Sequence, residues 1–144
     1  MAYQQSSVDA YRQTSVKTAS QGRIIVMLYD EAVRQIDNAL GLLRQNSREL
    51  DRVNNALVKA QDVITELMVS LDMEQGGEIA QNLLRLYLFF NDRLMEGNVK
   101  KEEGPLQEVR GMMMDLRDAW KQIESLAPAG GRRDYPTGGV NIAG

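Results

Sequence analysis

The chain of 144 residues contains no cysteine and no histidine. Without cysteine there is no disulfide and no thiolate ligand, a composition that fits a reducing cytoplasm and equally a cysteine-free exported protein. Without histidine there is no imidazole base, no Ser-His-Asp arrangement and none of the Glu-x-x-His ligands that di-iron helical bundles use. Any catalysis would have to rest on carboxylates alone. Long apolar runs are also missing, so nothing in the sequence would span a bilayer. The opening Met1-Ala2-Tyr3-Gln4-Gln5-Ser6-Ser7 has neither a basic region nor an apolar core. The expectation is a soluble, unprocessed, cytoplasmic protein with no membrane insertion. Nor does charge of one sign dominate: the net charge is -3, and the charged residues are spread along the chain rather than blocked. No phosphate-tracking basic face is implied, and nucleic acid is not an expected partner. Arg132 and Arg133 lie in a Gly/Pro-rich stretch and read as solvated linker charges.

Two further motifs fail for want of a partner residue. Asp72, Glu74 and Glu78 suggest a calcium loop, but the twelfth position counted from Asp72 is Leu83, where an EF-hand needs a bidentate Glu. Gly76-Gly77 lacks the Lys-Ser/Thr of a phosphate loop. No cofactor, no metal and no catalytic residue is therefore expected.

What is present is helical periodicity. A chain of this length forms one domain that buries enough surface to need no staple. Apolar residues recur at three- and four-residue spacing in four segments: Ile25, Leu28, Tyr29, Ala32, Ile36, Leu40 and Leu43; Val53, Leu57, Ala60, Ile64, Leu67 and Leu71; Ile79, Leu83, Leu86, Tyr87, Phe90 and Leu94; and Leu106, Val109, Met113, Leu116, Trp120 and Ile123. Ser20 and Asp51 are plausible caps of the first two. Gly76-Gly77 should end the second helix and let the third begin at once, and Gly104-Pro105 should open the fourth. The fold class expected is all-α, an antiparallel four-helix bundle over residues 20–127. An extended N-terminal arm (1–19) precedes it, and a disordered Gly-rich tail (128–144) follows. Tyr29, Tyr87 and Trp120 fall on core stripes and read as packing residues with hydrogen-bonded polar tips.

Four stripes do not use up the apolar residues. Leu84, Leu88 and Phe89 lie beside or opposite the core face of the third helix, Met112 and Met114 flank Met113, and Val58, Met68 and Val69 spill outside the second stripe. Individually such residues widen a core-facing stripe; together they suggest a contact surface, for which methionine's flexible thioether is suited. In the polar arm, Tyr11 and Val16 are apolar side chains outside any bundle stripe and join the candidate contact residues.

The ordered motifs carry a resemblance. Tyr11 is followed by Ser15-Val16 and Thr18-Ala19-Ser20; then come Met27-Leu28-Tyr29-Asp30, Lys59-Ala60-Gln61-Asp62-Val63-Ile64-Thr65-Glu66-Leu67, Leu71-Asp72, Gly76-Gly77-Glu78-Ile79-Ala80-Gln81-Asn82-Leu83, Leu86-Tyr87, Asn91-Asp92-Arg93-Leu94 and Leu116-Arg117-Asp118-Ala119-Trp120-Lys121. In this order the chain resembles the flagellar secretion chaperone FliS family over about residues 11–123. The resemblance implies a cytosolic export chaperone, not an enzyme. It would bind the C-terminal segment of flagellin, prevent premature polymerisation and deliver the client to a component of the flagellar type III export gate. It also implies that the N-terminal segment can occupy part of the client groove and that Tyr11 is tied to partner contact. Two departures stand out: Gln21 where the family commonly has proline, and Leu88-Phe89 where it has a more polar pair. The alternative is a helical adaptor or structural homodimer built through Leu88 and Phe89, without an export client; a carboxylate-metal enzyme is a remote third.

Overall fold

The computed structural model describes residues 21–46 and 48–126. Among them lie four helices: α1 (Gln21–Arg44), α2 (Leu50–Val69), α3 (Met73–Lys100) and α4 (Glu103–Leu126). Helix α1 packs against α2 and α4, and α3 packs against the same two, so the helices stand in a square with chain neighbours side by side. The all-α antiparallel bundle is as the periodicity implies. The arm 1–19, Ser20 and the tail 128–144 lie outside the described residues.

Helix α1 is the most deeply set, burying Ile24, Ile25, Leu28, Tyr29, Ala32, Ile36, Ala39 and Leu40 along one broad face. Opposite it stand Val53, Leu57, Ala60, Ile64 and Leu67 of α2, Tyr87, Phe90 and Leu94 of α3, and Leu106, Val109, Met113 and Trp120 of α4. Burying side chains of this size stabilises the fold by about 1.5–3 kcal/mol each. The α1–α4 seam is also closed on its outside by ion pairs: Asp30 with Arg117, Asp37 with Arg110, and Glu103 with Arg44. Both partners step by seven residues, about two helical turns, so each pair returns to the same side of the seam. Exposed pairs contribute little energy, and their effect here is to fix the antiparallel register.

The corner between α2 and α3 differs from the sequence expectation. The reversal occupies residues 70–72, and α3 begins at Met73 rather than after Gly77. The reason is Asp72, whose carboxylate accepts the backbone N–H groups of Glu74 (3.1 Å) and Gln75 (3.0 Å) and so caps a turn ahead of the glycines. Gly77 then sits at φ 55°, ψ -131°, a kink inside the helix rather than its boundary. That conformation is essentially reserved for glycine. A Cβ at Gly77 would meet nothing within 4 Å, so the constraint is one of backbone and not of space. Gly77→Val is therefore expected to lower the unfolding free energy by about 1–3 kcal/mol, while Gly76→Ala, in helical backbone, should be close to neutral. Urea unfolding of the two variants checks this; equal midpoints would contradict the kink assignment.

Beyond the kink, Ile79 does not reach the core as its stripe position suggests but is 47% exposed, and Ile123 at the matching end of α4 is 37% exposed. Leu43, Leu71, Leu83, Leu86 and Leu116 are half-buried at the core's margin. At the opposite end, the N–H groups of Lys101 and Glu102 both turn back to the carbonyl of Gly97, with Lys101 left-handed at φ 54°. Gly97 is buried because α4 starts directly against it: a Cβ there would overlap Leu106 Cδ1 and lie 3.3 Å from Pro105 Cβ. Helix α4 thus opens at Glu103, ahead of Gly104-Pro105, and Pro105 packs in its first turn.

Candidate partner-binding surface

The α2–α3 seam is built differently from the charged α1–α4 seam. Asn98 donates to Asn54 Oδ1 at 2.8 Å, Gln61 Nε2 to the Asn91 carbonyl at 3.3 Å, and Asn91 Nδ2 to Thr65 Oγ1 at 3.5 Å. These amide contacts fix an antiparallel register. It places Val58 within a turn of Met95, Thr65 within a turn of Leu88, and Met68 and Val69 within a turn of Leu84. Five of the candidate residues, Val58, Met68, Val69, Leu84 and Leu88, therefore converge on one seam, although they come from two separate stretches of sequence. Asn91 bridges helices. Its Oδ1 is buried with no hydrogen-bond partner.

Exposure singles out α3. Of the nine large apolar residues exposed among the described residues, six lie on it: Met73, Ile79, Leu88, Phe89, Met95 and Val99. None lies on α1. Leu88, Met95 and Val99 are 49%, 53% and 77% exposed, and their spacing of seven and four puts them on one outward stripe next to Leu84. Met95 and Val99 were not among the sequence candidates, although the 88-95-99 spacing carried the signal. Val99 is not among the residues packed on the core, and a contiguous run of exposed apolar side chains marks a contact surface.

Phe89 and Met112 sit elsewhere. The Arg93–Glu108 ion pair (2.8 Å) and the Gly97–Leu106 approach set the α3–α4 register, which places Met112 within a turn of Phe89. The Phe89 ring is 6.3 Å from that of Phe90, so its inner edge packs on the core while its outer edge meets solvent. Met68, Met112 and Met114 are half-buried against the core and widen the core-facing stripes of their helices. Tyr11 and Val16 lie outside the described residues.

A polar network is buried beneath this surface. The hydroxyls of Tyr29 and Tyr87 are 2.6 Å apart, tying α1 to α3 across the bundle. The two phenol tips thus satisfy each other, as expected of core tyrosines, while Trp120 packs in the core. Burial pushes the Tyr87 phenol up to about 12 and the Tyr29 phenol well above the usual tyrosine range, each being held in its neutral form. The sign follows from linkage. Above about pH 10 the unfolded chain loses these protons while the native state keeps them. The stability they contribute is complete below that pH and lost as pH rises toward the native values. Tyr87→Phe should therefore show a shallower loss of melting temperature between about pH 9.5 and 11.5 than the parent; superimposable pH profiles would contradict this.

No helix among the described residues is long and apolar enough to cross a membrane. A bundle with one seam closed by charge, another bordered by exposed aliphatic side chains and no histidine or cysteine anywhere has the makings of a binding module for another chain. Comparison with known proteins identifies which. The family model described as "Flagellar protein FliS" matches residues 3–127. The flagellar secretion chaperone FliS of Bacillus subtilis (strain 168) is 36% identical over 118 residues, covering 82% of this chain and 86% of its own length. That of Salmonella typhimurium (strain LT2) is 36% identical over 130 residues, covering 87% and 95% respectively. The Escherichia coli (strain K12) chaperone is 33% identical over 122 residues, covering 84% and 85%. The chain belongs to the FliS family, a family of flagellar secretion chaperones rather than enzymes.

Proposed function

We propose that this protein is a cytosolic export chaperone for flagellin. It holds the C-terminal segment of that client, keeps it from polymerising and presents it to a component of the flagellar type III export gate. The observation that carries the reading is the apolar border of the α2–α3 seam, where Val58, Leu84 and Leu88 converge with Met95 and Val99. An amphipathic segment that is unfolded when free can bury its apolar side chains there, and this burial offsets the cost of ordering it. Val69, Phe89 and Met112 extend the contact toward the corner and the α3–α4 flank. Tyr11 and Val16 in the arm act as a lid that the client displaces, or dock on the gate. No bond is made or broken in this cycle, and the chain needs no cofactor for it.

Recovery of the tagged protein from the cytosol of a flagellin-producing cell, followed by identification of the bound chain, tests the reading. Flagellin is expected in stoichiometric amount; its consistent absence while another protein is recovered would contradict the client assignment. Removal of residues 1–15 separates the two roles of the arm. Tighter client binding marks a lid, whereas unchanged binding with lost export marks gate docking.

A further inference from the structure

A second apolar patch lies at the end of the bundle where α4 runs out. The α3–α4 register set by Arg93–Glu108 and Gly97–Leu106 places Ile123 opposite Ile79, and both side chains are exposed. Met73 (41% exposed) and Val69 (67%) continue the patch across the α2–α3 corner. Beside it stand Glu74 and Glu78, exposed and without an ion-pair partner among the described residues, in contrast to the paired acids of the α1–α4 seam. Two apolar side chains facing each other at the helix ends, with uncompensated acid on one side, is a surface suited to a short basic segment carrying an aromatic or aliphatic residue.

The chain supplies such a segment. Residues 127–144 follow directly on α4 and contain Arg132-Arg133-Asp134-Tyr135, with one more basic than acidic side chain, and Val140 and Ile142 beyond. Arg132 is six positions beyond Leu126, which allows it a reach of up to about 20 Å at about 3.3 Å per residue. Glu78 directly precedes Ile79, and Glu74 stands four residues before it across the Gly77 kink, so the acids fall within that reach. The start of α1, beside the other flank of α4, carries no acidic residue in its first turn. We propose that residues 128–144 fold back onto this corner of their own bundle, with Arg132 and Arg133 against Glu74 and Glu78 and Tyr135 over Ile79 and Ile123. The occupant is the chain's own C-terminal segment, and the contact needs no client.

Because the sequence lacks cysteine, a pair of introduced thiols reports on this contact without background. The Gln75→Cys/Gly131→Cys double variant probes the α3 side and the Gln21→Cys/Gly131→Cys variant the α1 side. Both bundle positions are exposed, and both leave every charge of the proposed contact intact. In low salt, oxidation of the full-length protein should close the Gln75 pair within one chain at least about five times faster than the Gln21 pair, reflecting the higher effective concentration of a docked tail. The two rates should converge at about 0.5 M salt and in an Arg132→Glu/Arg133→Glu background. Equal rates in low salt would overturn the proposal. So would a product that runs as a disulfide-linked dimer, since that would place the tail on a second copy.

Discussion

Tyr29→Ala should be the most damaging single substitution in the bundle, lowering the unfolding free energy by about 3–5 kcal/mol. The Tyr29 ring is wholly buried on α1, its centroid 6.3 Å from that of Tyr87 on α3, and it lies where the helices converge. Removing it opens a cavity that helices locked in register by ion pairs at Asp30 and Asp37 cannot easily close. It also leaves the buried Tyr87 hydroxyl without its partner, and a buried polar group so stranded costs about 1–3 kcal/mol. Tyr29→Phe separates the two contributions: packing is kept, and the loss should fall to about 1–2 kcal/mol. Chemical denaturation of the two variants beside the parent measures both. Equal destabilisation by Phe and Ala would mean that the hydrogen bond, not the packed ring, dominates.

The second large effect falls on binding and not on stability. Leu88→Glu combined with Met95→Glu places two charges on the outward stripe of α3, where both side chains are half exposed and neither packs in the core. Loss of their burial under a flagellin segment should weaken binding by about 2–3 kcal/mol, roughly 30- to 150-fold. The unfolding free energy should change by less than about 0.5 kcal/mol. Phe89→Glu, on the α3–α4 flank with its ring partly on the core, should weaken binding less and stability more. Sedimentation of the same variants addresses the alternative role of these residues. If Leu88 serves a self-contact, the double variant sediments as a smaller species than the parent and binds the segment undiminished.

The fold was legible because helical periodicity is a local signal. The stripes ending in Leu43, Leu71, Leu94 and Ile123 supply most of the core, with Leu43, Leu71, Leu83, Leu86 and Leu116 at its margin and Ile79 and Ile123 exposed. Those exceptions have causes that periodicity cannot express. Ile79 follows a kink at Gly77, and Ile123 stands at a bundle end with no layer beyond it to cover it. The start of α3 was misplaced because two glycines suggest a boundary, whereas Asp72 nucleates a helical turn before them. In the candidate surface, the apolar excess on α2 and α3 was visible residue by residue. Its assembly on one seam depends on register, set by long-range contacts such as Asn54 with Asn98. The α1–α4 ladder is present in the sequence as a spacing, since Asp30, Asp37 and Arg44 recur by sevens, as do Glu103, Arg110 and Arg117. A charge on a solvated face acquires meaning only when the opposing helix is known.

Isothermal calorimetry of a peptide from the C-terminal segment of flagellin against the full-length protein, at several temperatures, shows whether the apolar α2–α3 seam takes that segment. One peptide should bind per chain, with a negative heat-capacity change from the burial of apolar surface, and the binding isotherm should largely collapse for the Leu88→Glu/Met95→Glu variant. Binding with full affinity by that variant would contradict the placement of the site. The absence of heat at every temperature up to high micromolar peptide, confirmed by the absence of a mobility shift, would contradict the chaperone reading itself.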